Sequence, residues 1–186
     1  MTVVGARRAT ERARDVARRL GSAVARSDRV VVSGLALGVD GAAHRGALDA
    51  GGDTVAVLGT GPDVAYPRSH AKLFARIATE GLVVSEFLPG TRAAPHHFPR
   101  RNRILAALSD ATVVVEAGAR SGALIRVDHA LDRGREVWAV PGPIDRAACA
   151  GSNRLLVDGA RPLVSLHDFV AAFGGSAGGP AAGRAA

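Results

Sequence analysis

Short apolar runs, rich in β-branched residues, recur along the chain, and each run is closed by small or polar residues. Continuous apolar runs of this length are typical of strands that are buried on both faces of a parallel sheet. The pattern predicts six strands, over residues 2–4, 29–32, 54–58, 82–84, 112–115 and 136–140.

Segments with helical spacing separate these runs. The clearest one begins at Thr10, a good N-cap residue, and places Ala13, Ala17, Leu20 and Val24 on one face. Further helices are predicted over residues 40–50, 69–80, 102–108, 122–133 and 153–158. Because strands and helices alternate throughout, we expect a doubly wound, mostly parallel α/β sheet in three layers with right-handed crossovers.

The chain has 186 residues, enough for one domain, which we assign to residues 1–173. Residues 174–186 form a Gly/Ala/Pro tail with too few apolar side chains for a core, and we expect this tail to be disordered. The first 20 residues lack the unbroken apolar core that is typical of a signal peptide, and no stretch of roughly 20 apolar residues occurs in the sequence. A single cysteine excludes an internal disulfide. These features favour a cytoplasmic protein without a membrane segment.

The formal net charge is +7, and 23 of the 24 basic residues are arginine. Guanidinium groups bind phosphate oxygens two at a time, so this composition favours an acidic polymer or a phosphorylated ligand as a partner. A GC-rich genome that encodes arginine in place of lysine is the alternative explanation. Composition alone does not decide between the two.

The unusual loops follow directly after predicted strands, and the carboxyl ends of parallel strands meet at the edge of the sheet where ligands bind. Gly34 and Gly38 flank a turn into a helix, whose first N–H groups can face an anion. The loop Gly59, Thr60 and Gly61 repeats this arrangement after the next strand. A tight turn without a ligand is the alternative for both loops. Neither loop completes a dinucleotide-binding motif, and no P-loop motif occurs, which argues against a dehydrogenase or a P-loop NTPase.

Basic residues surround the predicted start of the helix over residues 102–108. The run there is Arg100, Arg101, Asn102 and Arg103. Like charges at the positive end of a helix dipole are unfavourable, so something has to compensate them. Carboxylates such as Glu86 and Glu116 are one candidate, and the phosphates of a bound nucleic-acid strand are the other.

The remaining features separate binding from catalysis. Ser121 and Gly122 open the predicted helix over residues 122–133, either as an ordinary N-cap or as an extension of the anion-binding edge. Tyr66 and Phe98 are the only aromatic residues near that edge, which argues against a stacking-driven OB-fold. The six histidines lack metal-ligand spacing and no nucleophile motif occurs, so we expect no enzyme activity, metal or cofactor.

Several segments, taken in order, resemble the DNA-processing protein A (DprA/Smf) family. They are VVGARRAT, VVSGLALGVDGAAHRGAL, VAVLGTGPDVAYPRSHAKL, FPRRNRILAALSDATVVVEAGARSGAL and GREVWAVPGPIDRAACAGSNRLLVDGA. The resemblance implies a Rossmann-like domain that binds single-stranded DNA in a basic pocket and forms a homodimer. It also implies that the protein helps to load RecA onto incoming DNA during natural transformation and recombination.

The resemblance also places the family's DNA-binding residues on this chain. The arginine of the family's first loop is similar to Arg7, and the basic residue after its Tyr-Pro is similar to Arg68. The glycine loops, the arginine cluster and the Ser-Gly pair correspond to Gly34, Gly38, Gly59, Gly61, Arg100, Arg101, Arg103, Ser121 and Gly122. The chain departs from the family at residues 125–128, where Ile-Arg-Val-Asp replaces the usual small hydroxylated residues.

Two other interpretations stay open. The same loops resemble those of phosphoribohydrolases often labelled lysine-decarboxylase-like, which would make the chain a nucleotide-like ligand sensor or an enzyme. Those enzymes carry a catalytic glutamate in a Pro-Gly-Gly-x-Gly-Thr-x-x-Glu segment, whereas the corresponding loop, residues 116–122, has neither the double glycine nor the glutamate that ends that segment. The third interpretation is a paralogue that keeps the fold but acts as an interaction module.

Overall fold

The computed structural model of the protein describes residues 1–173. The predicted tail, residues 174–186, lies outside these described residues. The strands, in chain order, are β1 (Thr2–Val4), β2 (Val31–Ser33), β3 (Thr54–Val57), β4 (Leu82–Val84), β5 (Ala111–Val114), β6 (Glu136–Ala139) and β7 (Arg161–Pro162). All of their pairings are parallel, and the strands form one sheet in the order β4-β3-β2-β1-β5-β6-β7.

Helices connect the strands. They are α1 (Glu11–Arg26), α2 (Val39–Asp49), α3 (Ala71–Glu80), α4 (His97–Ala107), α5 (Gly122–Leu131), α6 (Ala150–Val157) and α7 (Leu166–Phe173). Single 3-10 turns precede α3 and α6, at Arg68–His70 and Ala147–Cys149. The doubly wound parallel α/β fold predicted from the sequence is therefore confirmed.

Alternate residues of the central strands point into two separate cores. Val3 packs in the apolar cluster that includes Leu20 of α1, whereas its neighbour Val4 packs with Val127 of α5. Both strand residues are fully buried. This alternation places helices on both faces of the sheet and explains why the strands have continuous apolar sequences.

The first helix forms where its sequence predicts. The Thr10 hydroxyl accepts a hydrogen bond from the backbone N–H of Ala13 at 3.1 Å, which caps the N-terminus of α1. The predicted apolar face, including Ala17 and Val24, is fully buried against the sheet and α2. The helix ends at Arg26, just before its C-cap Ser27.

Four details of the sequence prediction are wrong. The helix predicted over residues 102–108 begins at His97 instead, and the helix predicted over residues 153–158 begins at Ala150. A seventh strand, Arg161–Pro162, and a seventh helix, Leu166–Phe173, were not predicted. The two-residue strand carries a proline and no apolar run, so the pattern that reveals the other strands is missing there.

The chain reverses its direction across the sheet between β1 and β5. Strands β1 to β4 are added outward on one side, and the chain then returns so that β5 pairs with β1, with Thr2 opposite Thr112. In open α/β sheets this switch point leaves a crevice at the carboxyl ends of the two strands. In residues 1–173, no helix has both the length and the apolar character that crossing a membrane requires.

Candidate functional site

A cleft of about 800 Å³ opens at the carboxyl ends of β1 and β5, where the sheet topology leaves a crevice. The loop after β1, the loop after β5 and the beginnings of α4 and α5 form its walls. We call it the switch-point cleft, and its polar lining residues are Arg7, Tyr66, Asn102, Arg120, Ser121 and Arg126. Among the described residues, no carboxylate lines it.

A smaller pocket of about 60 Å³ adjoins the cleft. The loops after β2 and β3 form it, and its lining includes Gly34, Gly59 and Thr60. Arg7, Tyr66 and Phe98 line both cavities and stand between them. The structure thus brings together loops from four neighbouring strands at one edge of the sheet, as the sequence analysis expected.

Arg7 lies against an aromatic pair. Its guanidinium carbon is 5.2 Å from the ring centroid of Phe98, and the rings of Phe98 and Tyr66 are 5.5 Å apart. A third aromatic residue, Phe87, lies nearby and stacks on His97 with a centroid distance of 4.1 Å, which the sequence analysis did not foresee. Two rings and a cation beside a groove form a surface on which a base can stack.

The three arginines of α4 occupy three different environments. Because α4 begins at His97, they lie inside the helix and not around its start, which corrects the sequence prediction. Arg100 is exposed, with its guanidinium carbon 5.8 Å from the ring centroid of Phe87. Arg103 forms an ion pair with Glu86. Arg101 is only 1% exposed and points into the protein.

Arg101 holds the ends of β2 and β3 through their backbone carbonyls. Its Nη1 donates to the carbonyl oxygen of Gly34 at 3.0 Å and to that of Val57, while its Nε has no hydrogen-bond partner among the described residues. Burial lowers the pKa of the Arg101 guanidinium to about 9, and the nearby charge of Arg126 acts in the same direction. The group therefore stays charged at neutral pH.

A second buried arginine lies beside it. Arg126 of α5 is 6% exposed, donates from Nε to Oδ1 of Asn102 at 3.1 Å, and donates from Nη1 to Oδ1 of Asp40 at 3.4 Å. Asp40 is fully buried and also accepts the backbone N–H of Gly34 at 3.2 Å. We call Asp40, Arg101, Asn102 and Arg126 the buried arginine cluster.

The buried arginine cluster has more positive than negative charge. Within residues 1–173, Asp40 is the only carboxylate that contacts either buried guanidinium. Glu116, which the sequence analysis considered as a compensating group, accepts instead from the N–H of Thr10 at 3.0 Å and from its hydroxyl at 2.6 Å. An anion bound above the cluster would complete the charge balance.

Two histidines lie next to this cluster. His44 places its Nδ1 2.7 Å from the hydroxyl oxygen of Thr54. Burial lowers the pKa of His44 to about 4, and burial also lowers the pKa of His70. Neither ring lines the cleft.

The predicted glycine loops line the smaller pocket and also have roles in the fold. Gly38 has a φ of +76°, and a Cβ there would lie 2.2 Å from the carbonyl oxygen of Ala6. Glycine therefore allows the loop after β2 to pack closely against the loop after β1. The hydroxyl of Thr60 donates to the carbonyl of Val64 at 2.8 Å and is thus used inside its own loop. The N–H of Gly61 likewise donates to the carbonyl of Thr91 at 2.9 Å, and Gly61 lines neither cavity.

The start of α5 faces the cleft. Ser121 is its N-cap, and its hydroxyl accepts from the N–H of Ala123 at 3.3 Å. Gly122 is exposed, and a Cβ there would meet no atom within 4 Å. Arg68 is exposed in the 3-10 turn before α3 and lines neither cavity.

Sequence reasoning missed Arg126 as a site residue. It appeared only within residues 125–128, where the chain departs from the family pattern. The available signal was its spacing, because Arg126 lies four residues after Gly122 and therefore on the same side of α5 as the residues that face the cleft.

Fold and site together define a Rossmann-like α/β protein with an arginine-rich cleft at its switch point. The chain belongs to the family described as DNA recombination-mediator protein A, whose profile matches residues 1–174. A DprA relative from Mycobacterium tuberculosis is 49% identical over 168 residues, which cover 90% of this chain and 43% of that protein. The DNA processing protein DprA of Streptococcus pneumoniae is 45% identical over 147 residues, which cover 79% of this chain and 52% of that protein. The chain spans about half the length of these curated relatives.

Solved structures agree with this assignment. DprA from Streptococcus pneumoniae superimposes with a TM-score of 0.85 at 39% identity, covering 91% of this chain and 60% of that one. The structure of DNA processing protein A from Helicobacter pylori, which describes its single-stranded DNA binding mode, superimposes with a TM-score of 0.86 at 28% identity. The match covers 92% of this chain and 78% of that one. A molybdenum cofactor carrier protein from Chlamydomonas reinhardtii, at 21% identity and a TM-score of 0.59, shares the fold alone.

Proposed function

We propose that this chain binds single-stranded DNA in the switch-point cleft and acts as a recombination mediator of the DprA/Smf type. The observation that carries the proposal is the buried arginine cluster, in which two guanidinium groups, Arg101 and Arg126, have one carboxylate nearby, Asp40, which pairs with Arg126. A surplus of buried positive charge is costly unless an anion compensates it. DNA phosphates supply such anions along the whole strand.

The walls of the cleft favour an unpaired strand over a duplex. The ring of Phe98, with Tyr66 at 5.5 Å and Arg7 at 5.2 Å, offers a stacking surface to a base whose faces are free. In a duplex both faces of each base are already stacked. The single-stranded DNA binding of the Helicobacter pylori relative supports the same conclusion for this chain.

The competing proposal is an enzyme or sensor for a nucleotide-like small molecule. Among the described residues no carboxylate lines the switch-point cleft, and the nearby Glu116 already accepts two hydrogen bonds from Thr10. A hydrolase of that class needs a free glutamate at the cleft. DNA binding without catalysis is therefore the function that the geometry supports better.

Two proposed partners, a second copy of the chain and RecA, rest on the membership of the family and not on the geometry of the cleft. We propose that the chain forms a homodimer and loads RecA onto the bound strand, in the cytoplasm, where incoming DNA is processed. The chain matches only about half of the length of its relatives. For this reason the activity of the whole relatives is a proposal for this chain.

The test is fluorescence-anisotropy titration with an unstructured oligonucleotide across a salt series, using duplex DNA and free nucleotides as competitors. Replacing Arg7 by Ala should weaken binding about tenfold, because one charge-assisted contact is lost. It should also lower the slope of log K against log salt by about 0.7, the value for one phosphate of a single strand. Arg19→Ala is the matched control, since Arg19 is exposed on α1 and does not line the cleft.

Two results would overturn the proposal. The first is an absence of binding to the single strand while a free nucleotide binds or is hydrolysed. The second is an equal loss in the Arg7 and Arg19 variants, which would place the DNA away from the cleft.

A further inference from the structure

Arg126 offers a free donor at the bottom of the switch-point cleft. Its side chain is 7% exposed, and its Nε and Nη1 are held by Asn102 and Asp40. Within residues 1–173, its Nη2 makes no hydrogen bond, while the residue lines the cleft. A buried guanidinium that is fixed on two sides and open on the third is a prepared anion ligand.

The start of α5 stands above this donor. Ser121 and Gly122 line the same cleft, and α5 has 10 residues, so its N-terminal N–H groups carry the positive end of a full helix dipole. The space around Gly122 is open. The Arg126 side chain and the N-terminus of α5 therefore border the same part of the cleft.

The charge around this volume exceeds what one ordinary phosphodiester neutralises. Arg7 and Arg120 also line the cleft and form no ion pair in the described part of the chain. Together with Arg126, three guanidinium groups line the cleft, and Asp40 is the only carboxylate that pairs with any of them in residues 1–173. An internal phosphodiester carries one negative charge, whereas a terminal phosphate carries about 1.5 to 2 at neutral pH.

We propose that the floor of the switch-point cleft is a subsite for a phosphomonoester, occupied by the phosphorylated end of a DNA strand, with Arg126 as its specificity-determining residue. This inference rests on the DNA-binding function proposed above. A terminal phosphate has three unesterified oxygens and a sugar on one side only. Phe98 and Ile125 line the same cleft as Arg126, so an internal phosphate has to fit a sugar on each side beside these apolar side chains, whereas a terminal phosphate has to fit one.

The experiment uses the full-length chain and a labelled oligothymidylate. Unlabelled strands of equal length compete for it, carrying a 5′-phosphate, a 3′-phosphate or hydroxyl groups at both ends, and inorganic phosphate and thymidine monophosphate compete in parallel. We expect one of the phosphorylated strands to compete about tenfold better than the hydroxyl strand, the effect of one additional charge-assisted contact.

Each outcome separates this inference from the function on which it rests. Equal competition by the three strands would overturn the end-specific subsite and leave DNA binding intact. Failure of every strand would overturn DNA binding itself. Competition by inorganic phosphate or thymidine monophosphate as strong as that of the phosphorylated strand would assign the site to a free phosphate and contradict the proposal.

A variant links the preference to Arg126. Replacing Arg126 by Gln together with Asp40 by Asn removes both charges of the pair, so that no buried carboxylate is left without its partner. The end preference should fall to about twofold or less, since the contact responsible for it is gone. Arg133→Gln, on an exposed residue just beyond the C-terminus of α5, should keep the preference. A folded double variant that retains the full preference would show that Arg126 is not the specificity determinant.

Discussion

Arginines and carboxylates form two clusters in this molecule that differ in burial and in charge balance. In the buried arginine cluster, Arg101 and Arg126 are 1% and 6% exposed, and Asp40, which pairs with Arg126, is the only carboxylate in contact with either of them among the described residues. On the surface of α1, α2 and α3, Arg18 and Arg76 bind Asp49, and Arg76 also binds Glu80 at 2.9 Å. We call these four residues, Arg18, Asp49, Arg76 and Glu80, the surface network.

The difference shows which arginines carry functional information. The surface network contains two cations and two anions, and its side chains are between 36% and 59% exposed. A genome that favours arginine explains such pairs, because exposed ion pairs change stability little. It does not explain two buried guanidinium groups with one carboxylate, since folding alone would select against them.

Removing a carboxylate from each cluster gives the largest expected contrast. Asp40→Asn keeps the size of the side chain but leaves two buried positive charges uncompensated, and we expect a loss of about 3–5 kcal/mol in the free energy of unfolding. Chemical denaturation monitored by circular dichroism measures this loss.

Asp49→Asn in the surface network is the matched control. Its loss should be several times smaller, because water solvates the arginines that it leaves behind. Equal losses in the two variants would mean that the buried arginine cluster is no more sensitive to charge than the surface, and the comparison would fail.

The sequence predicted the fold and the site edge well because both depend on local patterns. Apolar runs mark buried strands, and the carboxyl ends of parallel strands must meet, which brings loops such as 34–38 and 118–122 to one edge. The start of α4 was placed five residues too late, because the helix begins at His97 and includes Pro99 in its first turn, where proline is tolerated.

The different environments of the α4 arginines were not predictable once that start was wrong. Arg100, Arg101 and Arg103 look equivalent in the sequence, and only the phase of the helix separates them. Arg101 lies four residues before the fully buried Leu105 and thus on the same inward face. Arg126 was hidden for a related reason, because only the phase of α5 places it, four residues after Gly122, on the side of the helix that faces the cleft.

Acid should test the buried arginine cluster through its neighbour His44. Thr54 donates its hydroxyl hydrogen to the carbonyl of Val31 at 2.9 Å, so Nδ1 of His44 must carry the hydrogen that Thr54 accepts. Nε2 is then a buried acceptor without a partner among the described residues. A second proton on this ring would add another buried cation beside Arg101.

The sign of the pH effect follows from these pKa values. The pKa of His44 is about 4 in the folded chain and 6.5 when unfolded, so the unfolded state binds more protons between these values. Stability is fully present above pH 6.5 and should fall by about 3 kcal/mol as the pH drops to 4. The lowered pKa of His70 acts in the same direction.

Denaturation curves across this pH range measure the effect, and two variants assign it. His44→Gln keeps a donor for Thr54 but cannot titrate, so the loss in this window should become much smaller. His167→Gln replaces an exposed histidine and should leave the wild-type profile unchanged. If the stability of the His44 variant depended on pH as strongly as that of the wild type, the acid effect would not be caused by His44.

The smallest expected effect on DNA affinity concerns Arg103, which lies on α4 beside Arg101 but is exposed and paired like the arginines of the surface network. Arg103 is 53% exposed like the surface network, and Glu86 neutralises it. It also lies outside the switch-point cleft. Arg103→Ala should therefore change the affinity for a single strand less than about twofold, far below the effect of Arg7→Ala, because no uncompensated charge is removed.

Glu86→Gln sharpens this last prediction, because it frees the charge of Arg103 without moving it. If long-range attraction to DNA depends on uncompensated arginines, this variant should bind somewhat more tightly than wild type at low salt, and the difference should vanish at high salt. Anisotropy titrations at two salt concentrations decide the matter. A fall in affinity for Arg103→Ala as large as that for Arg7→Ala would show that the DNA also contacts the outer face of α4, and that charge balance does not identify the binding arginines.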